Sequence, residues 1–192
     1  MWSPLIKIFQ DHPVFTSQPE SISDLAPLMG QIRDEASRYH VDREELPWGR
    51  YLLWEHGGGA GNLQLDIFSP AYKGAIHHHG CWGMVFILKG SLIVEDWAEG
   101  VQGFTQTRET VLTQGGCQCF CPPMSDWHRV GTPDSGCQTV TLHLYGRGFN
   151  LWEGVYLSQK MEKVRAPRGP LKDPALFGPY ISHSLHRMTY SQ

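Results

Sequence analysis

The sequence predicts an all-β fold, a closed or double-sheet barrel with a helical segment ahead of it and an extension behind. Three observations carry that expectation. Short runs rich in Leu, Ile, Val, Phe, Thr and Trp recur from Arg50 to about Leu157, and Gly, Pro and Asp clusters separate them. The connections are short, and no helical repeat alternates with the strands, which excludes a parallel α/β sheet. The 192 residues are 41% hydrophobic and 18% charged, which suits one globular domain with a full core.

Taken in chain order, residues 1–47 read as an N-terminal helical segment. Ile22, Leu25, Leu28, Met29, Ile32, Ala36 and Tyr39 follow a period close to 3.6. Ser21, Ser23 or Asp24 can cap that helix, Pro27 is expected in or near its first turn, and Pro47 closes the segment. The barrel core is expected over 48–158, with strands at RYLLWE, NLQLDIF, GMVFIL, SLIVEDW, ETVLT, CQTVTLHLY and LWEGVYL. Lys89-Gly90 reads as a hairpin turn between GMVFIL and SLIVEDW. Residues 159–192, rich in Pro, Lys, His and Ser toward the end, read as an extended segment wrapping the barrel.

Composition narrows the function. A net charge of -3 gives no electrostatic case for a nucleic-acid partner, and no apolar run is long enough for a membrane-spanning helix. No signal peptide is read at the first residues, so a cytoplasmic location is the expectation. The five cysteines are an odd number and suit reduced thiols. Cys117, Cys119 and Cys121 alternate, so a strand would turn all three to one side as small buried groups.

The chemistry concentrates in Gly74-Ala-Ile-His77-His78-His79. On a strand His77 and His79 share a face while His78 points away, and imidazoles about 6–7 Å apart along one face can converge on an ion. His128, in Asp126-Trp127-His128-Arg129-Val130, is the best candidate for a third ligand. Thr141, His143 and Tyr145 likewise fall on one face of their strand.

These motifs resemble the two cupin motifs, one with His-x-His and one with a single His. The Glu that cupins usually carry after the second His is missing from Trp82-Gly83-Met84-Val85. An all-histidine site is similar to that of the thiol dioxygenases, the cysteine dioxygenase and 3-mercaptopropionate dioxygenase group. Thr141-Leu-His143-Leu-Tyr145 resembles that group's Ser-x-His-x-Tyr relay, and Arg50 matches in order and context the arginine that binds a substrate carboxylate. The resemblance covers about Trp48 to Phe149.

It implies a cupin barrel with Fe(II) on His77, His79 and His128, and a small thiol and O₂ as partners. Tyr145, His143 and Thr141 would then be catalytic and Arg50 substrate-binding. The animal-type cross-linking cysteine has no counterpart at Gly83 or Met84, and Gly146-Arg147-Gly148 replaces the Ser-Pro-Pro that follows the tyrosine there. His-x-His-x-x-Trp-Gly is similar to the bacterial branch and leans toward 3-mercaptopropionate, whereas Arg50 leans toward cysteine. No acidic residue is legible near the ligands to receive a substrate amino group. Another metal-dependent cupin enzyme, an isomerase or a carbon-carbon dioxygenase, and a non-catalytic small-molecule-binding cupin remain alternatives. Arg50 also has a plainer alternative, pairing with Glu45 or Glu55 at the surface.

Overall fold

A computed structural model describes residues 2–15, 19, 21–42, 46–121, 127–148, 153–158, 161–167 and 181–183. Two helices lead, α1 (Ser3–Asp11) and α2 (Ile22–Ala36). Strands β1 (Tyr39–Val41), β2 (Gly49–Glu55), β3 (Asn62–Phe68), β4 (His77–His78) and β5 (Gly83–Lys89) follow. Next come β6 (Ser91–Gly100), β7 (Gly103–Thr113), β8 (Cys117–Phe120), β9 (His128–Gly131) and β10 (Thr139–Tyr145). The last are β11 (Glu153–Leu157), β12 (Lys163–Pro167) and β13 (Ile181–His183).

The strands form a five-stranded sheet, β2-β3-β10-β5-β8, and a six-stranded sheet, β12-β11-β4-β9-β6-β7. All pairings are antiparallel. The sheets face each other, since Phe68, Val85 and Ile87 of one pack on Leu92, Val94, Leu112 and Val130 of the other. This is the double-sheet barrel expected. The part of the C-terminal extension at β13 pairs with β1. No helix among the described residues is long and apolar enough to cross a membrane.

The five-stranded sheet is a middle layer. Its outer face packs on the helices through Leu63, Leu65, Ile67, Met84, Phe86, Leu88, Val140, Leu142 and Leu144, which join Leu5, Phe9, Leu25, Leu28 and Ile32. Leu25, Leu28 and Ile32 are at most 1% exposed, and each contributes about 1.5–3 kcal/mol of burial. Every residue of β3 and β10 is consequently buried, although half of each strand is polar. Residues Asn62, Gln64 and Asp66 of β3 and Thr141, His143 and Tyr145 of β10 alternate with that helix-facing row, so they point into the barrel. Cys117, Cys119 and Cys121 share one side as expected, the side packed on the helices, but only Cys121 is buried and the other two are half-buried; Cys119 Sγ lies 3.2 Å from Met29 Sδ on α2. Burial pushes the Cys119 thiol up to about 12, with Cys117 and Cys121 adding to the effect.

Several expectations need correction. The Lys89-Gly90 turn makes no hairpin, because β5 pairs with β10 and β8 whereas β6 pairs with β7 and β9. It is a corner between sheets, and Gly90 takes a φ of +78° there that a Cβ would strain. The tight hairpin is β6–β7, closed between Gly100 and Gly103. Helix α2 starts as read, with the Asp24 carboxylate accepting the Ser21 N–H at 2.9 Å. Pro27, however, lies a turn deeper than its expected place, inside the helix, and Tyr39 falls on β1. The α1 helix was not separately anticipated. Pro122-Pro123, Asp126, Phe149, Leu151-Trp152 and most of the tail lie outside the described residues.

Candidate metal centre

Strand pairing brings the histidines together. β4 lies between β9 and β11, and His77 is the Cα partner of His128 on one side and of Tyr156 on the other. His79 follows just past the end of β4. The three ring centroids are 4.5–4.8 Å apart, and one ring nitrogen from each falls within 4.8 Å of the others. His78 turns away as expected, its ring edge-on to Trp127 at 4.5 Å. Burial, and then Lys163, lower the His78 pKa.

The donor geometry suits a cation. His77 Nδ1 lies 2.9 Å from the carbonyl oxygen of Ala75, which can only accept, so Nδ1 carries the proton and Nε2 is the bare donor. The Nε2 atoms of His79 and His128 are 3.1 Å apart. Two nitrogens in adjacent positions on one ion, with bonds near 2.1 Å, would stand about 3 Å apart. The cluster could hold a metal ion. Imidazole suits zinc, copper, iron and nickel alike, so the donor set fits iron without selecting it.

Aromatic rings fix these imidazoles. His79 stacks on Phe120 at 4.9 Å and on Tyr145 at 4.7 Å, and Tyr156 lies over His77 at 5.6 Å. Gly83 makes the approach of Phe120 possible, since a Cβ there would run into its ring. Gly83 is also the Cα partner of Tyr145, so the strand position facing the tyrosine carries no side chain.

Thr141, His143 and Tyr145 form a continuous chain of hydrogen bonds. Thr141 Oγ1 lies 2.8 Å from His143 Nε2, and His143 Nδ1 lies 3.1 Å from the Tyr145 hydroxyl. Arg50 enters the same cavity from β2. Among the described residues its partner is not Glu55, and Glu45 lies outside them. Arg50 Nε donates to Asp66 Oδ2 at 3.2 Å, across the β2–β3 register, and Asp66 raises the arginine's pKa further.

All seven residues expected from the sequence meet around one cavity except Thr141, which supports the rest from behind His143. The cavity holds about 160 Å³, room for a small ligand. Sequence reasoning missed Asp66, Tyr72, Gln118, Phe120 and Tyr156 in its lining. Acidic residues do stand at the cavity, contrary to expectation: Asp96, the Cα partner of His128, and Asp66. The signal for Asp66 was present: a strand with Asn62, Gln64 and Asp66 alternating with apolar residues resembles one with a solvated face, and here that face is the barrel interior.

No family model matches this sequence. Among solved structures, the chain is similar to an RmlC-like cupin protein from Ralstonia eutropha, at 14% identity and a TM-score of 0.43, over 60% of this chain and 62% of that one. A Ralstonia eutropha protein of unknown function with a cupin-like fold matches at 14% identity and a TM-score of 0.44, with the same coverage. Oxalate oxidase in complex with the substrate analogue glycolate matches at 12% identity and 0.39, over 46% of this chain and 42% of that one. The match spans less than two thirds of each of these proteins. Fold and site together define a double-sheet β-barrel with a histidine cluster that could hold a metal. What it does with that cluster must be read from the cavity.

Proposed function

We propose that this protein is an iron-dependent thiol dioxygenase that converts a small thiol-carboxylate into its sulfinic acid. The observation that carries this reading is the meeting of the three-histidine cluster and the Thr141–His143–Tyr145 chain, with Tyr145 stacked on His79. In the overall reaction RSH and O₂ give RSO₂H; two S–O bonds form, the O–O bond breaks, and sulfur supplies the four electrons that reduce dioxygen. Iron(II) held by His77, His79 and His128 would bring thiolate and dioxygen to one centre and mediate the electron flow between them.

The chain's own residues bind, orient and exclude water. Only Nε of Arg50 is engaged among the described residues, which leaves its two terminal nitrogens for a paired contact with a carboxylate. The Thr141 hydroxyl has two acceptors within reach, His143 Nε2 at 2.8 Å and the Asp66 carbonyl oxygen at 3.3 Å; turned to the shorter contact, it makes the imidazole donate from Nδ1 to the Tyr145 oxygen. The phenol proton is then directed into the cavity, where it hydrogen-bonds the thiolate. Phe68, Phe120 and Tyr156 line the same space with apolar surface and limit the water in it.

The test joins metal analysis to oxygen consumption. Protein loaded anaerobically with Fe(II) should hold about one iron per chain and, on addition of 3-mercaptopropionate or cysteine, consume one O₂ per thiol and yield the sulfinate. Iron-loaded protein that consumes no O₂ with any small thiol would sink the proposal. Tight retention of zinc or nickel with no thiol chemistry would favour another class of cupin enzyme.

A further inference from the structure

The Asp66 carboxylate is only half used. It lies on β3, deep in the barrel, and is 3% exposed. Its Oδ2 takes the Arg50 Nε at 3.2 Å and stands 3.9 Å from His143 Nε2. Its Oδ1 is buried and, among the described residues, accepts no hydrogen bond. A buried carboxylate oxygen without a donor is costly, and native structures rarely leave one so. The same cavity holds a second buried acceptor without a partner among the described residues, the amide oxygen of Gln118 on β8. The other cavity-lining acid, Asp96, is already engaged, with Arg108 Nε at 2.7 Å from its Oδ2.

Charge points the same way. Arg50 and Asp66 are Cα partners across β2 and β3, so a cation and an anion stand side by side on one wall of the cavity. A ligand bearing a carboxylate alone would satisfy Arg50 while leaving its negative charge close to Asp66 and Oδ1 still without a donor. A ligand bearing a carboxylate and an ammonium group satisfies both. A protonated amine offers three donors, so one can meet Asp66 Oδ1 while the others serve further acceptors of the cavity.

We propose that Asp66 is a substrate-binding residue that receives a protonated primary amine, so that the site takes an amino-bearing thiol in preference to its des-amino counterpart. This rests on the thiol dioxygenase reading and deepens it. It also reverses the lean of the sequence toward a non-amino thiol.

Cysteine and 3-mercaptopropionate differ only in the amino group, which makes them the probes. Binding of each to Fe(II)-loaded protein is measured by calorimetry without oxygen, so the readout is independent of turnover. Cysteine should bind the unaltered protein at least about tenfold more tightly. Asp66→Asn keeps the shape and removes the charge; it should abolish that preference by weakening cysteine while 3-mercaptopropionate binds as well or better. Equal affinities in the unaltered protein would overturn the proposal, and that measurement needs no variant to fold. A preference surviving in Asp66→Asn would put the amine elsewhere, and equal weakening of both thiols would reduce Asp66 to a positioning residue for Arg50. Amine-dependent binding without oxygen uptake would sink the dioxygenase reading and keep Asp66. Oxygen uptake without amine preference would do the reverse, and failure of both thiols to bind would remove both.

Discussion

Replacing Tyr145 with Phe removes one hydroxyl and nothing else, and it separates a residue that acts from one that packs. Tyr145 is 3% exposed, with its ring on His79 at 4.7 Å and Phe120 at 6.1 Å, and these contacts survive the change. What is lost is the hydrogen bond between the hydroxyl and His143 Nδ1 at 3.1 Å. A buried polar group losing its partner costs about 1–3 kcal/mol, and each kcal/mol lowers the melting temperature of a chain this size by about 2–4 °C. Tyr145→Phe should therefore fold, melt somewhat lower and keep its metal, because no ligand is touched. Turnover should fall by about 10- to 1000-fold, the usual effect of removing one aimed donor from a water-poor site. Thr141→Val, similar in shape but lacking the hydroxyl, should lower kcat less, and the double variant should fall well short of the product of the two effects. The assay is oxygen uptake with Fe(II)-loaded proteins of matched iron content. Unchanged kcat in Tyr145→Phe would make Tyr145 a core aromatic, and independent effects of the two changes would mean that no relay links them.

The facing of the histidines predicts the outcome of metal analysis. His77→Ala and His128→Ala should each lose most bound iron, whereas His78→Ala, which unstacks a ring from Trp127, should retain it; the opposite result would mean a register one residue out. Thiol labelling tests the middle-layer position of β8. With its pKa near 12, Cys119 is a thiolate in only about one molecule in ten thousand at pH 8, so iodoacetamide should modify exposed Cys137 and spare Cys119 until denaturant is added. Equal labelling rates by peptide mass spectrometry would show that the Cys119 thiol is not held in the helix-side core.

The parts of the site that could be read from the sequence are those that use strand periodicity alone. Alternation puts His77 and His79 on one face with His78 opposite, and it aligns Thr141, His143 and Tyr145. It cannot say which strands become neighbours. The Lys89-Gly90 turn resembles a hairpin because a tight turn looks the same whether the next strand pairs with the last or crosses to the facing sheet. Helix α1 has only nine residues and no side-chain cap, too short to stand out although its first-turn proline is a start signal.

Asp66 stayed hidden for a different reason, and the reason generalises. An alternating polar face normally means water, and Asn62, Gln64 and Asp66 read that way on β3 taken alone. The neighbouring β10 carries the same pattern, with Thr141, His143 and Tyr145 opposite Asp66, Gln64 and Asn62 respectively. Two adjacent strands whose polar rows coincide, and whose other rows are wholly Leu, Ile and Val, must cover an apolar layer with one face. Where one polar row already holds a candidate catalytic chain, the row beside it belongs to the same interior. Pairing the strands by their polar rows places Asp66 beside the relay from the sequence alone.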